Sequence, residues 1–148
     1  MGMLTKTSET AIRLLVLLAQ RSADTPLSPR EIAERLNSSP TYTAKTAAQL
    51  AKAGLLRSHR GAQGGVTLAL APAEISLLAI VEACQGRILG DYCQPSDKLE
   101  LVCAYHEAMH QVHEAVLREL RRYTLADLVA RPAPCGALAS AVKCRMLS

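Results

Sequence analysis

A chain of 148 residues is long enough for one hydrophobic core with an appended element, so a disulfide scaffold is not required. Hydrophobic residues make up 49% of it with no Phe, no Trp and four Tyr, so Leu, Ala, Val and Ile must fill the core, which favours helices over sheets. The formal charge of +4 is unevenly spread, because residues 1–70 carry nine Lys/Arg against four Asp/Glu while residues 71–148 carry eight against nine.

The first apolar run, Ala11 to Ala19, follows Lys6 and superficially resembles a secretory signal. It is too short to span a bilayer, Glu9 lies beside it and Arg13 within it, and no convincing small-residue cleavage site follows. The expectation is an amphipathic helix from about Thr7 to Arg21, with Ile12, Leu15, Val16 and Ala19 on one face. The chain is then expected to be cytoplasmic, where five cysteines are thiols or metal ligands rather than structural disulfides.

Ser28-Pro29-Arg30-Glu31 supplies an N-cap serine, a proline at the first helical position and a glutamate that reaches back, a full capping box. Ile32, Ala33 and Leu36 form the apolar stripe of the helix it opens, and Asn37-Ser38 breaks it. Ser39-Pro40 repeats the signal and opens a second helix that stops at Gly54, so the pair reads as a helix-turn-helix. Leu55–Ser58 and Val66–Leu70 then read as strands joined by His59-Arg60-Gly61-Ala62-Gln63-Gly64-Gly65, a wing whose glycines allow a tight bend. No helix starts directly after that loop, so it is not a nucleotide cradle.

Between Glu34 and Glu74 there is no acidic residue, while Lys45, Lys52, Arg57, Arg60 and His59 all fall there. An acid-free basic surface suits a polyanion. Ser39, Thr41, Tyr42 and Lys45 lie at the helix end expected in a major groove, and Arg57, His59, Arg60 and Gln63 lie on the wing. Arg60 at its tip is suited to a narrow minor groove.

Further on, Ser76 caps a short helix through Ile80, Val81 and Cys84 that ends at Gly86, and a polar loop runs to about Asp97. A long helix from about Leu99 to Tyr123 follows, with Val102, Tyr105, Met109, Val112, Val116, Leu120 and Tyr123 as an apolar seam. Such a seam on a helix attached to a small head is expected to meet a second copy, giving a homodimer that reads a near-palindromic operator in double-stranded DNA. Thr124-Leu125-Ala126-Asp127 opens a last short helix that Pro132 and Pro134 end. His110 and His113 continue the face of His106 and admit a zinc reading. The architecture expected is mainly α with a small β-wing: a winged helix-turn-helix head over 1–72, a sensor loop and dimerisation helix over 73–131, and a Cys-containing tail over 132–148.

Several of these motifs together resemble the Rrf2 family of transcriptional regulators over about residues 3–130. They are Ser39-Pro40-Thr41-Tyr42, Lys52-Ala53-Gly54-Leu55-Leu56, the wing Arg60-Gly61-x-x-Gly64-Gly65, Ile75-Ser76-Leu77-Leu78 and Thr124-Leu125-Ala126-Asp127-Leu128. The resemblance implies a dimeric repressor that senses redox state, nitric oxide or iron through an iron–sulfur cluster held in the loop before the long helix. Cys93 matches the family's first loop cysteine, Cys103 its last, His106 a histidine position and Glu9 an N-terminal acidic position. The middle cysteine is absent, which leaves the fourth ligand to Glu9 or to Cys84, Cys135 or Cys144, and 2Fe-2S is the cluster favoured. A cluster-free regulator sensing through thiols or through a protein or metabolite partner is the alternative. An enzyme is not expected, since no activated Cys–His pair with an oxyanion site can be found.

Overall fold

The computed structural model describes residues 4–21, 25–88 and 101–136 together with Ala141, Cys144 and Met146. The chain order is α1 (Lys6–Ala19), α2 (Pro29–Leu36), α3 (Pro40–Lys52), β1 (Leu56–His59), β2 (Gly65–Leu68), a 3-10 turn (Pro72–Glu74), α4 (Leu77–Gln85), α5 (Ala104–Arg122) and α6 (Leu125–Ala130). It is the mainly helical architecture with a small two-stranded antiparallel wing that the sequence implies.

Helix α1 begins where Thr5 accepts a hydrogen bond from the Ser8 backbone N–H. It buries more than the expected stripe: Ala11, Leu14 and Leu18 are inside with Ile12 and Leu15, while Val16 and Ala19 are half-buried. The wider face follows from position, since α1 packs against α2, α3, α4 and α6 and is the hub of the core. That core joins Leu27, Ile32 and Leu50 to Ile75, Ile80 and Leu125, so residues on both sides of position 72 share one apolar interior.

The two capping boxes form as expected. Ser28 caps α2 and Glu31 returns to the Ser28 N–H at 2.8 Å, and Thr124 and Asp127 repeat the arrangement on α6, where Asp127 accepts from the Thr124 N–H at 2.7 Å. Bonds from the Ser28 hydroxyl and backbone hold the Glu31 carboxyl below its ordinary pKa, and bonds from the Thr124 backbone and hydroxyl do the same for Asp127. A depressed folded-state pKa makes the contribution present above the unfolded carboxylate range and lost as pH falls through the folded value. Asp127→Asn is therefore expected to flatten the acid limb of stability against pH, as read by urea unfolding at a series of acidic pH values.

The strands pair with Leu56 opposite Leu68, Arg57 opposite Thr67, Ser58 opposite Val66 and His59 opposite Gly65. The first strand is thus one residue later than the sequence expectation, while the second starts one residue earlier and ends two earlier, because the tight bond from Gly64 N–H to the Gly61 carbonyl at 2.9 Å lets pairing start at Gly65. Leu27 adds an isolated bridge to Val66, with both reciprocal backbone bonds present at 3.2 and 2.9 Å. The wing is consequently tied to the segment that leads into α2.

At the other end the corner between α5 and α6 is stitched to the start of α4. Leu77 N–H donates to the Tyr123 carbonyl and Leu125 N–H to the Ile75 carbonyl, each at 2.8 Å. Leu117 and Leu120 of α5 bury against Leu78 of α4. The expected seam is therefore divided, since Leu120 and part of Val116 are used within the chain while Tyr105 and Val112 are 62% and 54% exposed. Helix α5 also starts later than its periodicity suggests. Cys103 is its N-cap in an extended conformation, and Leu101 and Val102 precede the helix although they continue the apolar rhythm; Leu99 lies outside the described residues.

Candidate nucleic-acid interface and sensor residues

Helix α3 turns Thr43, Thr46, Ala47 and Leu50 inward. Thr41, Ala44, Lys45, Ala48 and Lys52 are exposed, and their spacing of three, four and seven residues places them along one solvent face. Ala44 and Ala48 belong to this face and were absent from the sequence reading, although the helical period from Thr41 and Lys45 points to them. Small side chains there let a helix approach a base edge or a thymine methyl closely.

The other sequence candidates divide into exposed groups and groups already engaged. Arg57, Arg60 and Gln63 are exposed on the wing. His59 is exposed too, but its Nε2 is 2.9 Å from the Thr67 hydroxyl across the strands, which orients the ring. The Ser39 hydroxyl accepts a hydrogen bond of 3.5 Å from the Tyr42 N–H as the cap of α3. Tyr42 is half-buried and its hydroxyl donates to Thr7 Oγ1 at 2.9 Å, so it anchors the front of α3 to α1. Removing that hydroxyl in Tyr42→Phe is expected to cost about 1 kcal/mol, measured by chemical denaturation.

Arg13 is a further positioning residue that sequence reasoning missed. Its guanidinium donates to the Leu36 carbonyl at 3.1 Å, satisfying the C-terminal end of α2 with a cation. Thr5 N–H and the Ser8 hydroxyl meanwhile donate to Gln85 Oε1 at 3.2 and 2.8 Å. The first turn of α1, which also carries Glu9, thus touches both α3 and the last turn of α4.

The proposed cluster ligands are placed unevenly. Cys93 lies outside the described residues. Cys103 is exposed at the start of α5, whereas His106 one turn later is only 2% exposed, so the spacing that puts both on one helical face does not give both to one surface. Glu9 is half-buried in the first turn of α1. Among the described residues no three His, Cys, Asp or Glu side chains are placed to share a metal, and His113 Nε2 lies 2.8 Å from the Ile88 carbonyl, which counts against zinc at His106, His110 and His113. Cys84 is half-buried against the core, and burial pushes its thiol up to about 11, which suits packing better than ligation. Cys135 is exposed and Cys144 half-buried in the tail. No helix among the described residues is long and apolar enough to cross a membrane.

A family model described as an iron-dependent transcriptional regulator, Rrf2, matches residues 4–131. The chain is 32% identical over 130 residues to the HTH-type transcriptional regulator NsrR of Halalkalibacterium halodurans, covering 85% of this chain and 89% of that one. It is 33% identical over 132 residues to the repressor NsrR of Streptomyces coelicolor, covering 87% and 89%. Among solved structures, the global cysteine regulator CymR of B. subtilis superposes with a TM-score of 0.73 at 26% identity, covering 88% of this chain and 98% of that one. The IscR of T. potens superposes with a TM-score of 0.71 at 28% identity, covering 91% and 93%. The two NsrR proteins are HTH-type transcriptional regulators and CymR is a cysteine regulator, and CymR and IscR share the fold of this chain. The chain belongs to the Rrf2 family of DNA-binding transcriptional regulators.

Proposed function

We propose that this regulator reads its operator with the exposed face of α3 and the tip of the wing, and that two copies joined along α5 bind one near-palindromic site. The observation that carries the first part is the charge and size of that surface. Thr41, Ala44, Lys45, Ala48 and Lys52 are small, polar or cationic, Arg57 and Arg60 flank them in sequence on the wing, and no acidic residue lies between Glu34 and Glu74. Tyr105 and Val112 are the exposed apolar groups that support contact between copies. The protein then works in the cytoplasm.

The sensing device proposed is an iron–sulfur centre, 2Fe-2S, anchored by Cys93 and Cys103 with His106 and Glu9 as the remaining donors. Two thiolates with an imidazole and a carboxylate are chemically competent for such a centre, which supplies sensitivity to oxidants, nitric oxide or iron supply. The exposed thiol of Cys103 fits this use directly, whereas His106 would have to turn outward from its buried position and Glu9 would come from the same chain or from a second copy. Ligation at Glu9 would pull on the turn of α1 whose Thr7 holds Tyr42, and so bear on α3. The burial of His106 favours the second reading, a regulator of the same fold that senses without a cluster through thiols or a protein or metabolite partner.

Anaerobic purification separates the two readings. Iron and acid-labile sulfide in equal amounts, with a brown chromophore lost in Cys93→Ser and in Cys103→Ser, is the expected result. A colourless protein without iron sinks the cluster and leaves the DNA-reading proposal standing.

A further inference from the structure

We infer that Cys135, Cys144 and Met146 form a binding site for a soft monovalent metal ion of the copper(I) class. The two cysteines stand nine positions apart along the chain, and nothing in that spacing alone joins them. The fold brings both to one shallow cavity of about 380 Å³, lined by Arg131, Pro132, Ala133, Pro134, Cys135, Cys144 and Met146. Three of these side chains carry sulfur, and among these described residues none carries a carboxylate, imidazole, amide or hydroxyl.

That donor set selects by chemistry. Thiolate and thioether are soft ligands that favour copper(I), whereas magnesium and calcium require oxygen donors that these side chains lack. Charge agrees with valence. Two thiolates around a monovalent ion carry a net negative charge, which the Arg131 guanidinium in the lining offsets. Cys135 is exposed and gives the ion a route in from solvent, while Cys144 and Met146 are half-buried and would close behind it. Binding is a ligand exchange without oxidation: the two thiols release two protons, two metal–sulfur bonds form, and the Met146 thioether adds a third.

The site also touches the DNA-reading head. Pro132 and Met146 line a second, smaller cavity with Arg13, Val16, Leu17, Gln20 and Leu36, and Met146 packs against the main core. An ion held by Met146 therefore sits behind the contact between Arg13 and the Leu36 carbonyl that closes the end of α2.

The test uses the full chain in a Cys93→Ser, Cys103→Ser background, so that the thiolates of the proposed iron–sulfur centre cannot contribute. Copper(I) is partitioned anaerobically between the protein and a chromophoric copper(I) chelator, with circular dichroism as the check on folding. One ion per chain is expected, weakened at least about 100-fold by Cys135→Ser or Cys144→Ser and about tenfold by Met146→Leu, with zinc(II) failing to compete. Affinity unchanged in both cysteine variants overturns the site. A chain that takes up no copper(I) but forms a Cys135–Cys144 disulfide with a hydroperoxide also overturns it. The outcome is independent of whether the chain holds iron or which DNA it reads.

Discussion

Gly65→Ala is expected to destabilise the protein by about 2–3 kcal/mol. A Cβ built on Gly65 would lie 2.4 Å from both the carbonyl carbon and the carbonyl oxygen of Leu27, and 2.8 Å from the Ser28 nitrogen. All three are backbone atoms, so no side-chain rotation can relieve the overlap. The main chain must separate, and the reciprocal bonds between Leu27 and Val66 are the contacts that would stretch. For a domain of this size the midpoint should fall by roughly 5–10 °C in a thermal melt followed by circular dichroism. Gly61→Ala is the control, since its φ of +107° carries conformational strain but its Cβ meets nothing within 4 Å. A smaller loss, about 1 kcal/mol, is expected there. Equal melting of the two variants would mean that the wing is not seated on the Leu27 backbone.

The second large effect concerns DNA. Lys45→Ala combined with Arg60→Ala should weaken operator binding on the order of 100-fold, about 2.7 kcal/mol, at moderate salt. Both side chains are exposed and neither supports the core, so folding should be unaffected. If both side chains meet phosphate, the slope of log affinity against log salt should fall by roughly two units, about 0.9 for each phosphate no longer neutralised. If Lys45 reads a base instead, its share of the loss should appear as relaxed sequence preference with little change in slope. Titration of the variants against operator and scrambled duplexes at several salt concentrations distinguishes these cases. Unchanged affinity in the double variant would remove α3 and the wing tip from the interface.

The parts of the fold that were legible in the sequence are those fixed by neighbours within a few residues. Ser28 with Glu31 and Thr124 with Asp127 are capping pairs complete within four positions, and the helix starts they announce are where they belong. The wing is announced by Gly61, Gly64 and Gly65, although its register depended on the bond between Gly64 and Gly61. What was not legible depends on contacts distant in sequence. Tyr42 looks like a base-reading residue until Thr7, 35 positions away, is found to accept from its hydroxyl. Cys103 and His106 share a helical face by spacing, yet the packing of α5 on α4 through Leu117, Leu120 and Leu78 helps decide which part of the helix is inward. The start of α5 was placed too early for a related reason, since hydrophobic rhythm runs on through Leu101 and Val102 while the backbone at Cys103 is extended. That Cys135 and Cys144 line one cavity likewise belongs to the tertiary fold.

The stitch between the end of α5 and the start of α4 gives α5 the geometry of a lever with its fulcrum at its last turns, gripped again nearer its start by the buried His106 and by His113 at the Ile88 carbonyl. Leu117, Leu120 and the backbone bonds at Tyr123 and Leu125 hold its last turns, while Cys103, Tyr105 and Val112 lie toward the other end, exposed. At 1.5 Å of rise per residue, Cys103 stands about 20 Å from the clamp at Leu117. A pivot of about 5° at Leu117 therefore displaces the Cys103 end by nearly 2 Å, and a tug of the same size at Cys103 returns to Ile75 and Leu77 as a small rotation with high leverage. A shift at the Cys103 end and a shift at the Ile75–Leu77 corner are thus two readings of a single angle.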